Sequence, residues 1–190
     1  MSYKYAKERE EKSISEKKDK VDNDHWRQKY HIQGIVGLIN DPNGFSQFKD
    51  KYHIFYQWNP FGCEHKTKHW GLVTTTDFVN FTKPEIILKP EDWFDQNGCY
   101  SGCGLVKDDE LKLYYTGNVK KTQEERESYQ CVATYRKDGK VEKHGVVIEK
   151  QPEGYTAHFR DPFIFRENDI YYMVLGAQNN DLKGKALIYK

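Results

Sequence analysis

Three stretches of this 190-residue chain, at residues 43–56, 104–115 and 161–172, share one pattern, and it restricts the fold more than any other feature. Each runs from a short apolar strand through a charged tight turn (Lys49-Asp50, Asp108-Asp109, Asn168-Asp169) into an aromatic strand. That is the signature of a β-hairpin. Counted from Tyr52, Leu111 and Ile170, where the apolar residues of the returning strands begin, the interval is 59 residues both times. Further strand-like runs, His69–Thr76 and Tyr129–Tyr135, lie between them. A repeat near 60 residues holding about four short strands is the size of a propeller blade with long connections. The 15% aromatic content, with 14 Tyr, 10 Phe and 4 Trp, suits a β-rich fold and a surface able to stack on flat or sugar-like ligands.

Ahead of the repeat the character differs. Residues 4–24 are mostly Lys, Glu, Asp and Arg, with Ile14 and Val21 the main apolar positions. Glu and Lys at helical offsets favour a solvated helix, but so thin an apolar stripe needs the body of the protein to hold it. The expectation is a partly frayed surface helix in a charged lead over residues 1–30, with the β-repeat occupying 31–190. Propellers typically close with 4 to 8 blades. Two repeats and a partial third, stopping inside the strand-like run Gly184–Lys190, therefore predict an incomplete ring. Its open strand edge would invite self-association.

Charge and composition exclude several roles. Thirty basic and 29 acidic residues leave a net charge of +1, which gives no bulk attraction to nucleic acid or a membrane surface. There is no run of 18 apolar residues to span a membrane, and no apolar stretch behind the charged N-terminus to act as an export signal. Cys63, Cys99, Cys103 and Cys131 form no Cys-x-x-Cys pair, so reduced thiols in a cytoplasmic setting are expected. Neither a phosphate-cradling Gly-rich loop nor a nucleophile-elbow Ser is present, and no cofactor is expected. Cys63, His65 and His69 lack a second ligand pair, so no metal site is expected either.

The chemistry concentrates in two Asp-Pro dipeptides. Asn40-Asp41-Pro42-Asn43-Gly44 and Arg160-Asp161-Pro162 both lead into the first strand of a repeat. Proline disfavours the helical region for the residue before it and removes a ladder donor, so each Asp should be extended at a strand start. If the first strands are innermost, both carboxylates project towards one end of the central channel. Asp-Pro-Asn-Gly also suits a β-turn. Arg160 could orient Asp161 and keep it ionised through a charge-assisted hydrogen bond. Two acids at matching repeat positions point to glycoside hydrolysis, which needs paired carboxyls.

The segment Gly37-Leu38-Ile39-Asn40-Asp41-Pro42-Asn43-Gly44-Phe45 resembles the first signature of glycoside hydrolase family 32, the β-fructofuranosidases. The likeness continues through Trp26–His31, Tyr52–Gln57, His69-Trp70-Gly71, Tyr100-Ser101-Gly102, Tyr115–Val119 and His158–Pro162. Within the family it is most similar to the cytosolic sucrose-6-phosphate hydrolase branch. The resemblance implies a five-bladed β-propeller followed by a β-sandwich, of which this chain would hold blades 1 to 3, the last incomplete. It implies a retaining reaction on sucrose or sucrose 6-phosphate, with Asp41 as nucleophile forming a covalent fructosyl intermediate. Asp161 would stabilise the transition state beside Arg160, while Asn40, Gln57 and Ser101 hydrogen-bond the sugar and Tyr100 packs at its rim.

The family's general-acid Glu, followed by Cys, has no counterpart here. The last Glu, Glu167, falls in a charged turn away from the strand starts, so the 190 residues alone should hydrolyse sucrose negligibly. Two alternatives stay open: a non-catalytic sugar-binding fragment, and a fructan-hydrolysing relative. The basic loop His65-Lys66-Thr67-Lys68 suggests a hold on a substrate phosphate, or simply a solvated loop. Trp58 and the Trp93-Phe94 pair read as core rather than sugar platforms, and Cys99 and Cys103 as small buried packing residues.

Overall fold

The computed structural model describes residues 3–122 and 125–190; Met1 and Ser2 of the lead lie outside them. After helix α1 (Tyr3–Asp22) come three antiparallel sheets. The first has the order β1-β2-β3-β4 (Leu38–Phe48, Lys51–Asn59, His69–Thr75, Glu85–Leu88). The second repeats it as β5-β6-β7-β8 (Cys99–Lys107, Glu110–Lys120, Arg126–Tyr135, Val141–Ile148). The third runs β9-β10-β11 (Tyr155–Glu167, Ile170–Asn179, Gly184–Tyr189). Strand β5 packs against β1 on one side and β9 on the other, so the first strands lie side by side. Among the described residues the three sheets do not close into a ring.

The hairpins form where the charged pairs predict. Lys49-Asp50, Asp108-Asp109 and Asn168-Asp169 all have positive φ at both positions, between 47° and 63°. That is the type I′ geometry, whose twist matches the strands it joins. The repeat interval needs a correction. The residues that follow the turns are Lys51, Glu110 and Ile170, so the third hairpin comes after 60 residues, not 59. Counting from apolar residues skipped the charged Lys51 and Glu110 but not Ile170. The odd residue belongs to β1, where the register slips between Asn43 and Ser46 around Gly44, at φ 59°.

Packing between sheets is aromatic and tight. Phe48, Phe55, Trp70 and Leu72 of the first sheet share one core with Leu111, Leu113, Tyr115 and Cys131 of the second. Cys99 and Cys103 are buried, in line with their small-residue reading. Trp58 is also core, fully buried with its indole N–H on the Val36 carbonyl at 2.6 Å. Phe94 follows it, but Trp93 does not: it is 65% exposed, because only one side of that bend faces the sheets. Helix α1 is held more firmly than its composition suggests. Glu10, Ser13, Ile14, Lys17 and Val21 form its inward stripe, and Glu10 is only 4% exposed. The stripe escapes a hydrophobic reading because three of its five members are polar.

The approach of β1 to β5 depends on glycine. A methyl on Gly104 would lie 2.2 Å from Ser46 Oγ and 2.7 Å from the Gly44 carbonyl oxygen. Gly104→Ala should therefore lower the unfolding free energy by about 1–3 kcal/mol, as overpacking does. Denaturant unfolding checks this; an unchanged midpoint would mean the two strands are free to separate.

Candidate active site

A single irregularity recurs at the same place in each first strand. The ladder slips by one residue between Ile39 and Pro42 opposite Gln57, between Tyr100 and Gly102, and between Arg160 and Phe163. Each slip is a β-bulge, which bends the strand and re-aims the extra side chain. The residues in the bulges are Asp41, Ser101 and Asp161, at 60-residue intervals. With β1, β5 and β9 adjacent, the three side chains meet at one level.

They open on a pocket of about 220 Å³. Asn40, Asp41, Gln57, Tyr100, Ser101, Arg160 and Asp161, all seven residues singled out in the sequence, line it. The basic loop between β2 and β3 supplies the rest of the wall through His65, Lys66 and Lys68. Larger hollows of about 490 and 460 Å³ lie near the hairpin turns and beneath α1. Their acidic residues are largely engaged in ion pairs, such as Glu110 and Glu142 with Arg136, or Glu10 with Lys89.

The two carboxylates sit differently. Asp41 accepts hydrogen bonds on both oxygens, from Asn40 Nδ2 at 2.5 Å and Ser101 Oγ at 3.0 Å. Those donors leave the anion fixed in direction while its face stays open to the pocket. Asp161 has φ 62°, so the extended backbone expected before Pro162 is not what forms. The proline excludes only the right-handed helical region, and the bulge takes the left-handed one at a cost of about 1–2 kcal/mol. Thr116 holds it there: its Oγ1 accepts the Asp161 N–H at 3.0 Å and donates to Gln130 Oε1 at 2.8 Å. Gln130 Nε2 then donates to the Phe159 carbonyl at 2.9 Å. Thr116 and Gln130 are fully buried. Neither received a role from the sequence, although Thr116 lies inside the Tyr-Thr-Gly-Asn segment.

Arg160 also departs from expectation. Its Nε is 3.6 Å from Asp161 Oδ2, an ion pair too long for a hydrogen bond. Partial burial raises the Asp161 carboxyl above its usual value, and the Asp41 charge adds to this while Arg160 opposes it. Lys68 is the other unusual group. It is 3% exposed, and its ammonium has no hydrogen-bond partner among the described residues. Burial lowers its pKa, with the negative charge of Asp41 pulling the other way. His65 and Lys66 are exposed on the same wall, whereas His69 is buried against Glu10, 3.1 Å from its Oε1.

Three antiparallel sheets thus follow one another, with the bulged carboxylates Asp41 and Asp161 on the first strands at either side of β5. Residues 31–190 match the model of the glycosyl hydrolases family 32 N-terminal domain, and the chain belongs to that family. It is 51% identical over 175 residues to the sucrose-6-phosphate hydrolase of Bacillus subtilis (strain 168), covering 92% of this chain and 36% of that protein. The sucrose-6-phosphate hydrolase of Salmonella typhimurium is 45% identical over 161 residues, covering 85% of this chain and 34% of that protein. The chain thus spans about a third of these relatives' length. Among solved structures, the sucrose-6-phosphate hydrolase from Lactobacillus gasseri superposes with a TM-score of 0.88 at 32% identity, over 94% of this chain and 37% of the other. A Bombyx mori family 32 β-fructofuranosidase, solved as a point mutant in complex with sucrose, gives 0.85 at 34% identity, over 99% and 40%.

Thr116→Val should expose the importance of the buried relay. It leaves the Asp161 N–H and Gln130 Oε1 unpaired, at about 1–3 kcal/mol for each buried group. Thr116→Ser, which keeps the oxygen, should recover most of that loss in thermal or denaturant unfolding. Equal stability of all three proteins would exclude the relay.

Proposed function

We propose that the protein carrying this chain is a retaining β-fructofuranosidase that cleaves sucrose and prefers its 6-phosphate. The observation that supports this best is the bulged pair Asp41 and Asp161, carried by the strands on either side of β5 and lining one pocket. Asp41, oriented by Asn40 and Ser101, attacks the anomeric carbon of the fructosyl unit and displaces glucose or glucose 6-phosphate. A covalent fructosyl-Asp41 ester results, and water then hydrolyses it with retention. Asp161 faces the same carbon and offsets the positive charge that develops on the ring. Arg160, Gln57, Asn40 and Ser101 direct the sugar hydroxyls, and Tyr100 closes the rim.

The phosphate preference rests on the basic wall. His65, Lys66 and Lys68 place cationic and imidazole groups beside a pocket whose other charges are two carboxylates and Arg160. A phosphate would give that wall an anionic partner. The names of the relatives agree with this reading. A five-bladed propeller and a cytoplasmic setting belong to the same proposal.

Protonation of the leaving oxygen is not provided by the residues of this pocket. Asp161 is its second carboxyl, and Glu167 ends β9 at the β9–β10 turn, six residues or about 20 Å along the strand. The 190 residues alone should therefore turn over sucrose about 10²–10⁴-fold more slowly than the intact protein. In the intact protein, Asp41→Ala should cost at least about 10³-fold in kcat. Acid quenching of the unmodified protein during turnover should leave a hexosyl adduct on the peptide containing Asp41. An inverted first-formed fructose anomer, seen by NMR, would refute the covalent route. Replacing both Lys66 and Lys68 by Ala should reduce the preference for phosphorylated over free sucrose by about tenfold or more, one to two lost charge contacts. An unchanged preference would exclude the basic wall as the phosphate site.

A further inference from the structure

The loop that carries the basic wall is gripped at both ends by the charged lead helix. At its start, Ser13 Oγ donates to the Pro60 carbonyl at 2.9 Å, and Lys17 Nζ donates to the Phe61 carbonyl at 2.5 Å and to Ser13 Oγ at 3.0 Å. The Arg9 guanidinium lies 4.5 Å over the Phe61 ring. At its end, the buried Glu10 carboxylate sits 3.1 Å from His69 Nε2 and 2.5 Å from Lys89 Nζ. Desolvation raises the Glu10 pKa, but hydrogen bonds from His69 and Lys89 outweigh it and bring the net value down, so the group is held as an anion. Between the two grips, Asn59 Nδ2 donates to the Glu64 carbonyl at 2.8 Å, and the Cys99 N–H donates to the Lys68 carbonyl at 2.9 Å.

We propose that α1 is a clamp that sets the conformation of residues 60–69, with Glu10, Ser13 and Lys17 as positioning residues for the basic wall of the active site. A helix meant only to cover a sheet would present apolar residues, which tolerate sliding. This one presents a hydroxyl, an ammonium and a carboxylate to specific carbonyls and cations, and only Ile14 of its stripe joins an apolar cluster, with Tyr56, Trp58 and Val73. Polar contacts of this kind hold for one path of the loop. Any other path leaves a buried carboxylate or a buried carbonyl without a partner. The consequence for the sugar rests on the phosphate reading above; the clamp itself does not.

The test uses the intact protein and the variant Ser13→Ala/Lys17→Met, which removes both bonds to the loop and improves helix propensity at position 13. Lys12→Ala/Glu16→Ala serves as control, because that pair is exposed on the outer face of α1. Amide hydrogen exchange at residues 62–67 should accelerate by about five- to tenfold in the clamp variant and stay unchanged in the control, with the helical circular dichroism retained. Titration with sucrose 6-phosphate should show its dissociation constant rising by about threefold or more, while that for sucrose moves less. Unaltered exchange in the clamp variant, or faster exchange with both affinities unaltered, would overturn the proposal. If the unmodified protein binds both sugars equally, the phosphate reading fails instead. The clamp is then judged by loop exchange together with the affinity for sucrose, whose pocket shares the wall.

Discussion

The candidate site is built on one extra residue in each first strand. Each bulge bends its strand at the same level and re-aims the extra side chain, and Asp41, Ser101 and Asp161 line one pocket. The bulges opposite Gln57, next to Thr116 and beside Leu175 do this in three sheets at once. Prolines follow two of the bulged residues, and their missing N–H groups cannot be drawn back into the ladder. The close approach of β1 and β5 over Gly104 then brings Ser101 Oγ within hydrogen-bond reach of Asp41.

That geometry also gives the two acids different surroundings. Asp41 is served by an amide and a hydroxyl, whereas Asp161 has Arg160 at ion-pair distance and its own burial working against ionisation. The unpartnered ammonium of Lys68 adds a positive charge beneath the same pocket, where desolvation makes it costly unless an anion is near. The lead helix enters the same balance from outside, since it holds the loop on which Lys68 and Lys66 stand.

Much of this was legible in the chain itself. Polar pairs between apolar runs marked all three turns; five of their six residues are Asp or Asn, which tolerate the left-handed region, and Lys49 is the one long side chain held at positive φ. Counting from apolar residues misplaced the third hairpin by one, since charge at Lys51 and Glu110 hid the true strand starts. The inward stripe of α1 was invisible for a similar reason: hydropathy does not register a helix that docks through Glu10, Ser13 and Lys17. Thr116 and Gln130 look like ordinary strand residues in sequence. Their part in holding Asp161 appears only when β6, β7 and β9 are side by side.

The sequence by itself determined the hairpin repeat, through turn chemistry and spacing along the chain, and its likeness to family 32 named seven of the ten residues that line the pocket. The sequence also placed Asp41 and Asp161 at strand starts, whereas both lie inside their strands, Asp161 near the middle of β9. Only the tertiary structure decided that Asp161 takes a left-handed backbone, that Arg160 stops short of hydrogen bonding it, and that the buried Lys68 ammonium has no hydrogen-bond partner among the described residues. It also decided that a helix of mostly charged residues contacts the loop that walls the pocket. Each of these follows from contacts between segments far apart in the chain, where burial, register and the supply of partners depend on how the sheets pack.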